Sequence, residues 1–179
     1  MPGFFNKLIG KDVTGRVQDV QYLGNMDSYS SMPKLIKALE DEAVEVRRAA
    51  ALALGQHSRT GNTASMIALI GAIGDPDAEV RKNAVLSLGD FINASKDAGE
   101  ADAAKKAMIS LLEKESDQEV IKNIALSLGQ VQDPALIGPM INAFRLKDKK
   151  TISMSINALD DLLVTNTRLE MKKALRTLL

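Results

Sequence analysis

A block of residues recurs along this chain, and no other feature of the sequence limits its possible folds so strongly. Residues 41–56 match residues 75–90 at a constant offset of 34, and residues 117–130 form a third copy. The second half of the block is also present at 16–24, and a degenerate copy lies within 139–163. Self-similarity at such an interval is the signature of repeat architectures, in which each unit buries its apolar face against its neighbours. The sequence therefore predicts an array of stacked units.

Each unit is expected to contain two helices. Apolar residues with helical spacing precede each block: Leu35, Ile36 and Leu39, then Ile67, Ile70 and Ile73, then Met108, Ile109 and Leu112. The block itself begins after a turn, where Asp77 and Asp117 are suitable N-caps for a second helix. Glycines recur where this second helix is expected to end in a left-handed residue, at Gly24, Gly55, Gly89 and Gly129. Since no strand is evident, the pattern predicts an all-α solenoid.

The pattern Asp-Pro-Asp-x-x-Val-Arg-x-x-Ala-x-x-x-Leu-Gly at 75–89 resembles HEAT repeats of the short, phycobilisome-lyase-like type. The resemblance extends over about residues 13–163 and is strongest over 32–130. It implies a right-handed α-solenoid, an alpha-alpha superhelix whose first helices are convex and whose second helices line the concave side. It also implies a ladder in which turn aspartates pair with second-helix arginines, here Asp41, Asp75, Arg47 and Arg81. The third unit departs from the pattern at Glu115 and Ile121, which puts the ladder in doubt there.

The whole chain is interpreted as one solenoid. Its expected parts are a cap and half repeat at 1–31, repeats at 32–56, 66–90, 104–130 and 135–163, and a closing helix at 166–179. Residues 91–100 are expected to extend a helix and then form a surface loop. An apolar cluster near the N-terminus has two interpretations, a cover for the open end of the core or a foot that contacts a membrane or partner. Its members are Phe4, Phe5, Leu8 and Ile9.

Composition argues against catalysis. The chain has no Cys and a single His, so thiol nucleophiles and His-pair metal sites are excluded, and neither a metal nor a cofactor is expected. His57 follows a helix end and is expected to cap it or to be solvated. Lys and Arg balance Asp and Glu at 23 each, and no apolar run approaches the ~20 residues of a bilayer span. Since no address signal is present, the cytoplasm is the expected compartment.

The candidate site is a protein-binding surface on the second helices. Positions four residues apart on each helix would stack into a ribbon with a basic edge, a leucine row and a polar edge. The basic edge and its neighbours are Arg48, Lys82, Lys122, Asn83 and Asn123; the leucine row is Leu52, Leu86 and Leu126; the polar edge is Gln56, Asp90 and Gln130. In the alternative interpretation, these leucines belong to the core between repeats.

The sequence therefore favours a non-enzymatic adaptor or assembly factor that binds a protein partner through its concave face. By resemblance, the alternative is an accessory subunit of a bilin-lyase-like, prosthetic-group enzyme. A nucleic-acid-binding solenoid is less favoured, because the chain has no Trp, two Tyr and no net charge. The basic cluster at 145–150 could contact phosphates or an acidic partner, and otherwise is a solvated turn.

Overall fold

A computed structural model describes residues 12–26, 29–58, 62–95, 98–131, 133–160 and 166–179. The N-terminal apolar cluster lies outside these residues. Within them the chain forms ten α-helices, two short 3₁₀ turns and no strand. The helices are α1 (Val13–Gly24), α2 (Met32–Ala38), α3 (Val44–Gln56), α4 (Thr63–Ala72), α5 (Ala78–Ala94), α6 (Ala98–Lys114), α7 (Gln118–Gln130), α8 (Ile137–Phe144), α9 (Lys149–Asp160) and α10 (Asn166–Arg176).

The helices form the two layers of an α-solenoid. The second helices α1, α3, α5, α7 and α9 contact one another in sequence and form one layer. The first helices α2, α4, α6 and α8 form the other layer, in which neighbours lie further apart. A groove of about 340 Å³ separates α2 from α4, and another of about 410 Å³ lies between α6 and α8. Because the second helices are the more closely spaced, their layer lies on the concave side.

Aspartates in the turns fix where second helices begin. The side chain of Asp77 accepts the backbone N–H of Val80, and that of Asp117 accepts the N–H groups of Glu119 and Val120. Such bonds satisfy donors that the first helical turn leaves without a partner. The expected N-caps of α5 and α7 are therefore present.

The recurrent glycines correct an expectation. None of the four has a left-handed φ, and α5 continues past Gly89 to Ala94. Each glycine instead lies where the next second helix passes. A Cβ added to Gly55 would lie 2.3 Å from the Oγ of Ser87, and one added to Gly89 would lie 2.9 Å from the Cβ of Ser127. The glycines are therefore required for close helix approach, and only with hydrogen in place of a side chain can the second helices pack at this distance.

The core is aliphatic and runs along the whole array between the two layers. Leu54, Leu88 and Leu128 occupy equivalent positions in α3, α5 and α7, and each is fully buried. At the C-terminal end, α10 packs on α7, α8 and α9 and buries Met171 and Leu175. The last pair is thus covered by a helix that does not repeat.

Candidate partner-binding surface

Arginines on second helices pair with carboxylates in the turn of the following unit. The pairs are Arg16 with Asp41 at 3.0 Å, Arg47 with Asp75 at 2.8 Å and Arg81 with Glu115 at 2.7 Å. Arg47 and Arg81 are bidentate. Each also donates through Nη1 to a carbonyl of the turn preceding its own helix. These side chains join consecutive units, so their charges serve the fold.

The third unit keeps the ladder, contrary to the doubt raised by its sequence. Glu115 takes the place of the turn aspartate, and its Oε1 also accepts the N–H groups of Ser116 and Asp117. Burial alone would raise the pKa of Glu115, but hydrogen bonds from Arg81 and from these N–H groups outweigh burial and hold it below its usual value. The longer glutamate therefore performs the task of an aspartate.

The ladder ends one step later. Asp148 accepts the N–H of Thr151 and is the equivalent of Asp77, so the turn-acid position of the fourth unit is occupied by Leu146. The matching arginine position is Ile121, which is buried. Both the acid and the arginine of this step are thus replaced by apolar residues, so no unpaired charge remains.

The basic edge of the candidate site is largely neutralised. The guanidinium of Arg48 donates to both carboxylate oxygens of Asp77, at 2.9 and 2.6 Å. These bonds lower the pKa of Asp77 to about 2. Lys82 pairs with Glu79 at 2.6 Å, and Lys122 pairs with Glu119. The three predicted cations lie on this surface, each with an acidic partner from the protein itself.

The leucine row lies at the surface rather than in the core. Leu52 is 52% exposed, and Leu86 and Leu126 are half-buried. Leu126 lines a depression of about 410 Å³ between α7 and α9, together with Lys122, Met154 and others. None of the three leucines has the complete burial of Leu54, Leu88 and Leu128. The three side chains of the leucine row occupy equivalent positions on α3, α5 and α7.

The two predicted asparagines serve the fold. Nδ2 of Asn83 donates to the carbonyl of Arg48 at 3.1 Å and so links α5 to α3. Asn123 is only 8% exposed, and its Nδ2 donates to the carbonyl of Glu119 at 2.7 Å. The prediction that Asn123 belongs to the exposed binding surface is therefore wrong, because its side chain is buried and bonded within α7. Sequence periodicity identifies the helix face but not how closely the next helix approaches.

The polar edge is exposed as predicted for Gln56, Asp90 and Gln130. These residues lie where α3, α5 and α7 approach their C-terminal ends. Asp90 lines a depression of about 430 Å³ together with Ser58, Asn93 and Ala94. Partial burial raises the pKa of Asp90.

His57 and the C-terminal cations have structural contacts. His57 is buried, not solvated, and its Nε2 lies 3.2 Å from the carbonyl oxygen of Leu23 at the end of α1. Because a carbonyl only accepts, Nε2 carries the hydrogen. Arg168 is buried and donates to the carbonyl of Gly129, and Lys147 donates to the carbonyls of Glu113 and Glu115. These partners could not be identified from the sequence, because they are distant along the chain.

Known proteins share both the sequence pattern and the architecture. A family model described as HEAT repeats matches residues 10–89 and again residues 32–108, which together are more than half of the chain. The chain belongs to the HEAT-repeat family. No curated protein matches it significantly.

Several solved structures are similar to this chain. One is an engineered protein with 16% sequence identity and a TM-score of 0.53, and the match covers 96% of this chain and 95% of that protein. A second engineered protein has 19% identity and a TM-score of 0.51, and the match covers 96% of this chain and 93% of that protein. The complex of CpcE and CpcF of phycocyanin lyase from Nostoc sp. PCC7120 is also similar. It has 21% identity, a TM-score of 0.46 and coverage of 96% and 92%.

The described residues form neither a metal site nor a membrane span. Among the described residues, no three His, Cys, Asp or Glu side chains are grouped so that they could hold a metal ion. None of the helices described here has the length and apolarity needed to cross a bilayer.

Proposed function

We propose that this HEAT-repeat chain is a non-enzymatic adaptor that binds a protein partner through the surface of its second helices. The observation that carries the proposal is the exposure of the leucine row, above all of Leu52. Exposed apolar residues that line up and have polar borders are typical of protein-binding sites.

The surroundings of the leucine row support this proposal. The ladder carboxylates and arginines are engaged in joining units, and Arg48, Lys82 and Lys122 each pair with an acid on this surface. At this basic border, a partner that covers the leucine row therefore removes no water from unpaired cations. The solenoid holds the three leucines on rigid helices, so little side-chain or backbone ordering is needed on binding.

The test compares two substitutions of exposed apolar residues. Leu52→Asp places a charge in the leucine row, whereas Ile67→Asp places one on α4, in the first-helix layer, where Ile67 is 61% exposed. Leu86 and Leu126 are half-buried, so they are left unchanged to protect the fold. Both variants should keep the circular dichroism and melting temperature of the wild type within a few degrees.

Affinity capture from the native host's lysate, with quantitative mass spectrometry, gives the result. We expect a protein that is captured by the wild type and by Ile67→Asp, and depleted at least tenfold by Leu52→Asp. Equal capture by all three proteins would reject the leucine row as the binding surface. Equal loss from both variants would show an effect unrelated to this face.

A further inference from the structure

The two borders of the leucine row differ in charge, and the difference bears on the chemistry of the partner. Where the second helices begin, Arg48, Lys82 and Lys122 are matched by acids of the protein itself. A charged partner gains little at this border, because both signs are already present and paired. The inference below rests on the proposed function, and it concerns the opposite border.

The opposite border is formed by the C-terminal ends of parallel helices. The last turns of α1, α3, α5 and α7 contain no Lys or Arg. Each helix end carries about half a negative charge on its free carbonyls. The carbonyl of Leu23 in α1 lies against His57, and that of Gly129 in α7 accepts from Arg168. No described basic side chain does the same for α3 or α5, so among the described residues the negative potential is strongest at the middle of the border.

Asp90 adds a full negative charge at the middle of this border. It lies on α5 beside the leucine row, four residues beyond Leu86. Within the described residues no hydrogen bond or ion pair reaches its carboxylate. The depression that it lines with Ser58, Asn93 and Ala94 is about 430 Å³ in volume, and none of its described lining residues is basic. This volume is sufficient for the end of a long side chain.

The pKa of Asp90 agrees with a preference for a cation at this position. Partial desolvation raises this pKa, and a nearby cation would stabilise the charged form of the carboxylate. Among the described residues of this border, the negative charge therefore comes from Asp90 and the helix ends.

We propose that the partner presents a basic amphipathic segment. Its apolar side chains contact Leu52, Leu86 and Leu126, and a lysine or arginine on one flank enters the depression beside Asp90. Neighbouring helices pack ~8–10 Å apart, so the row is ~16–20 Å long. A partner helix of about three turns spans that length. Charge complementarity then fixes which flank of the segment faces the helix C-termini.

A display library of random 16-residue peptides tests the proposal without assuming a sequence. Selection on the wild-type chain, with counter-selection on Leu52→Asp, retains peptides that need the leucine row. We expect the retained peptides to combine apolar residues with an excess of Lys and Arg over Asp and Glu. Retained peptides that are acidic or neutral would overturn the inference and leave the leucine row as a binding surface. Failure to retain any peptide would count against both the inference and the proposed function.

A synthetic peptide from that selection tests the role of Asp90 directly. Asp90→Asn removes the charge with little change of shape, and Glu113→Gln is the matched control, since Glu113 is an exposed carboxylate on α6. By fluorescence anisotropy at low salt, we expect about five- to tenfold weaker binding for Asp90→Asn and no change for Glu113→Gln. The difference should shrink as salt increases. Equal affinity of all three proteins would overturn the assignment of Asp90.

Discussion

At the scale of single residues, the arginines of the second helices do two things at once. Two nitrogens of Arg81 donate hydrogen bonds to the carboxylate of Glu115 in the next unit. Its third nitrogen donates to the carbonyl of Asp75, in the turn that precedes α5. Arg47 makes the equivalent contacts one unit earlier. Each arginine thus fixes the turn before its helix and the register of the following unit.

Replacing a ladder arginine alone should therefore lower the free energy of unfolding more than replacing both the arginine and its acidic partner. Arg81→Met leaves Glu115, whose side chain is 3% exposed, without its counter-charge. We expect a loss of about 3 kcal/mol in the free energy of unfolding, measured by urea denaturation. The double variant Arg81→Met/Glu115→Gln should lose clearly less, because no charge is left buried. Equal losses in the two variants would mean that the ion pair is not the source of the stability.

Asp77 should make stability depend on acid pH. Its pKa is about 2 in the fold against 3.8 as a free group, so the pairing stabilises the fold above pH 3.8 and is lost as the pH falls through about 2. Asp77→Asn keeps an N-cap residue but removes the charge. We expect this substitution to lower the free energy of unfolding by about 1 kcal/mol at neutral pH, since the ion pair is partly exposed.

The pH series tests the cause of that loss. Urea unfolding of wild type and Asp77→Asn, followed by circular dichroism between pH 7 and pH 3, should show a difference that narrows below about pH 4. A difference that stays constant with pH would assign the loss to the cap geometry and not to the charge.

At the scale of helices, the spacing of the second-helix layer depends on glycines that face small residues. Gly24 lies against Ala53, Gly55 against Ser87 and Gly89 against Ser127. The Oγ of Ser87 also donates to the carbonyl of Ala51 at 2.8 Å, which ties α5 to α3. Close approach thus adds a hydrogen bond between helices to their van der Waals contact.

Gly55→Ala should destabilise the protein even though alanine favours helix by about 1 kcal/mol. The new Cβ would lie 2.9 Å from the Cβ and 3.1 Å from the Cα of Ser87, so α3 and α5 must separate. We expect a net loss of about 2 kcal/mol in thermal or urea unfolding. Gly71→Ala is the control, since nothing lies within 4 Å of a Cβ at that position of α4. It should leave stability unchanged or raise it, and a similar loss in both variants would contradict the close-approach explanation.

The sequence predicted the helices better than the distances between them. Repeated spacing was enough to identify the helix pairs, the N-caps and the exposed polar edge. The same spacing placed Gly89 at a helix end, because a left-handed cap and a close helix contact both require a residue without a side chain. It also left Asn123 on the surface, and it could not show that Glu115 reaches Arg81. These outcomes depend on how near a neighbouring helix comes, which no single unit specifies.

At the scale of the whole molecule, each unit is held mainly by its neighbours along the array. The second helices contact one another in sequence, and α10 packs on the last elements, α7, α8 and α9. Because stability in such arrays is close to a sum of unit and interface contributions, damage at one end should weaken that end first.

Leu175→Ala tests this locality. Leu175 is fully buried in α10. Its truncation should lower the local free energy of unfolding at the C-terminal end of the array by about 2–4 kcal/mol. Hydrogen exchange followed by mass spectrometry should become faster in α8, α9 and α10, with little change in α3. Uniform acceleration along the chain would show that the array unfolds as a single cooperative unit.

The end of the ladder has a consequence for how this chain can grow. Units one to three each offer an acid to the unit before them, and α1, α3 and α5 each offer an arginine to the unit after, whereas α7 offers Ile121 and the fourth turn offers Leu146. Duplicating the unit at 66–90 in place adds a copy with both matching ends. The same copy inserted between the third and fourth units would bring a turn acid with no arginine to meet it. The order of the units therefore depends on which residues meet at each interface. Duplication of such a unit is tolerated near the N-terminal end of the array and is destabilising near the C-terminal end.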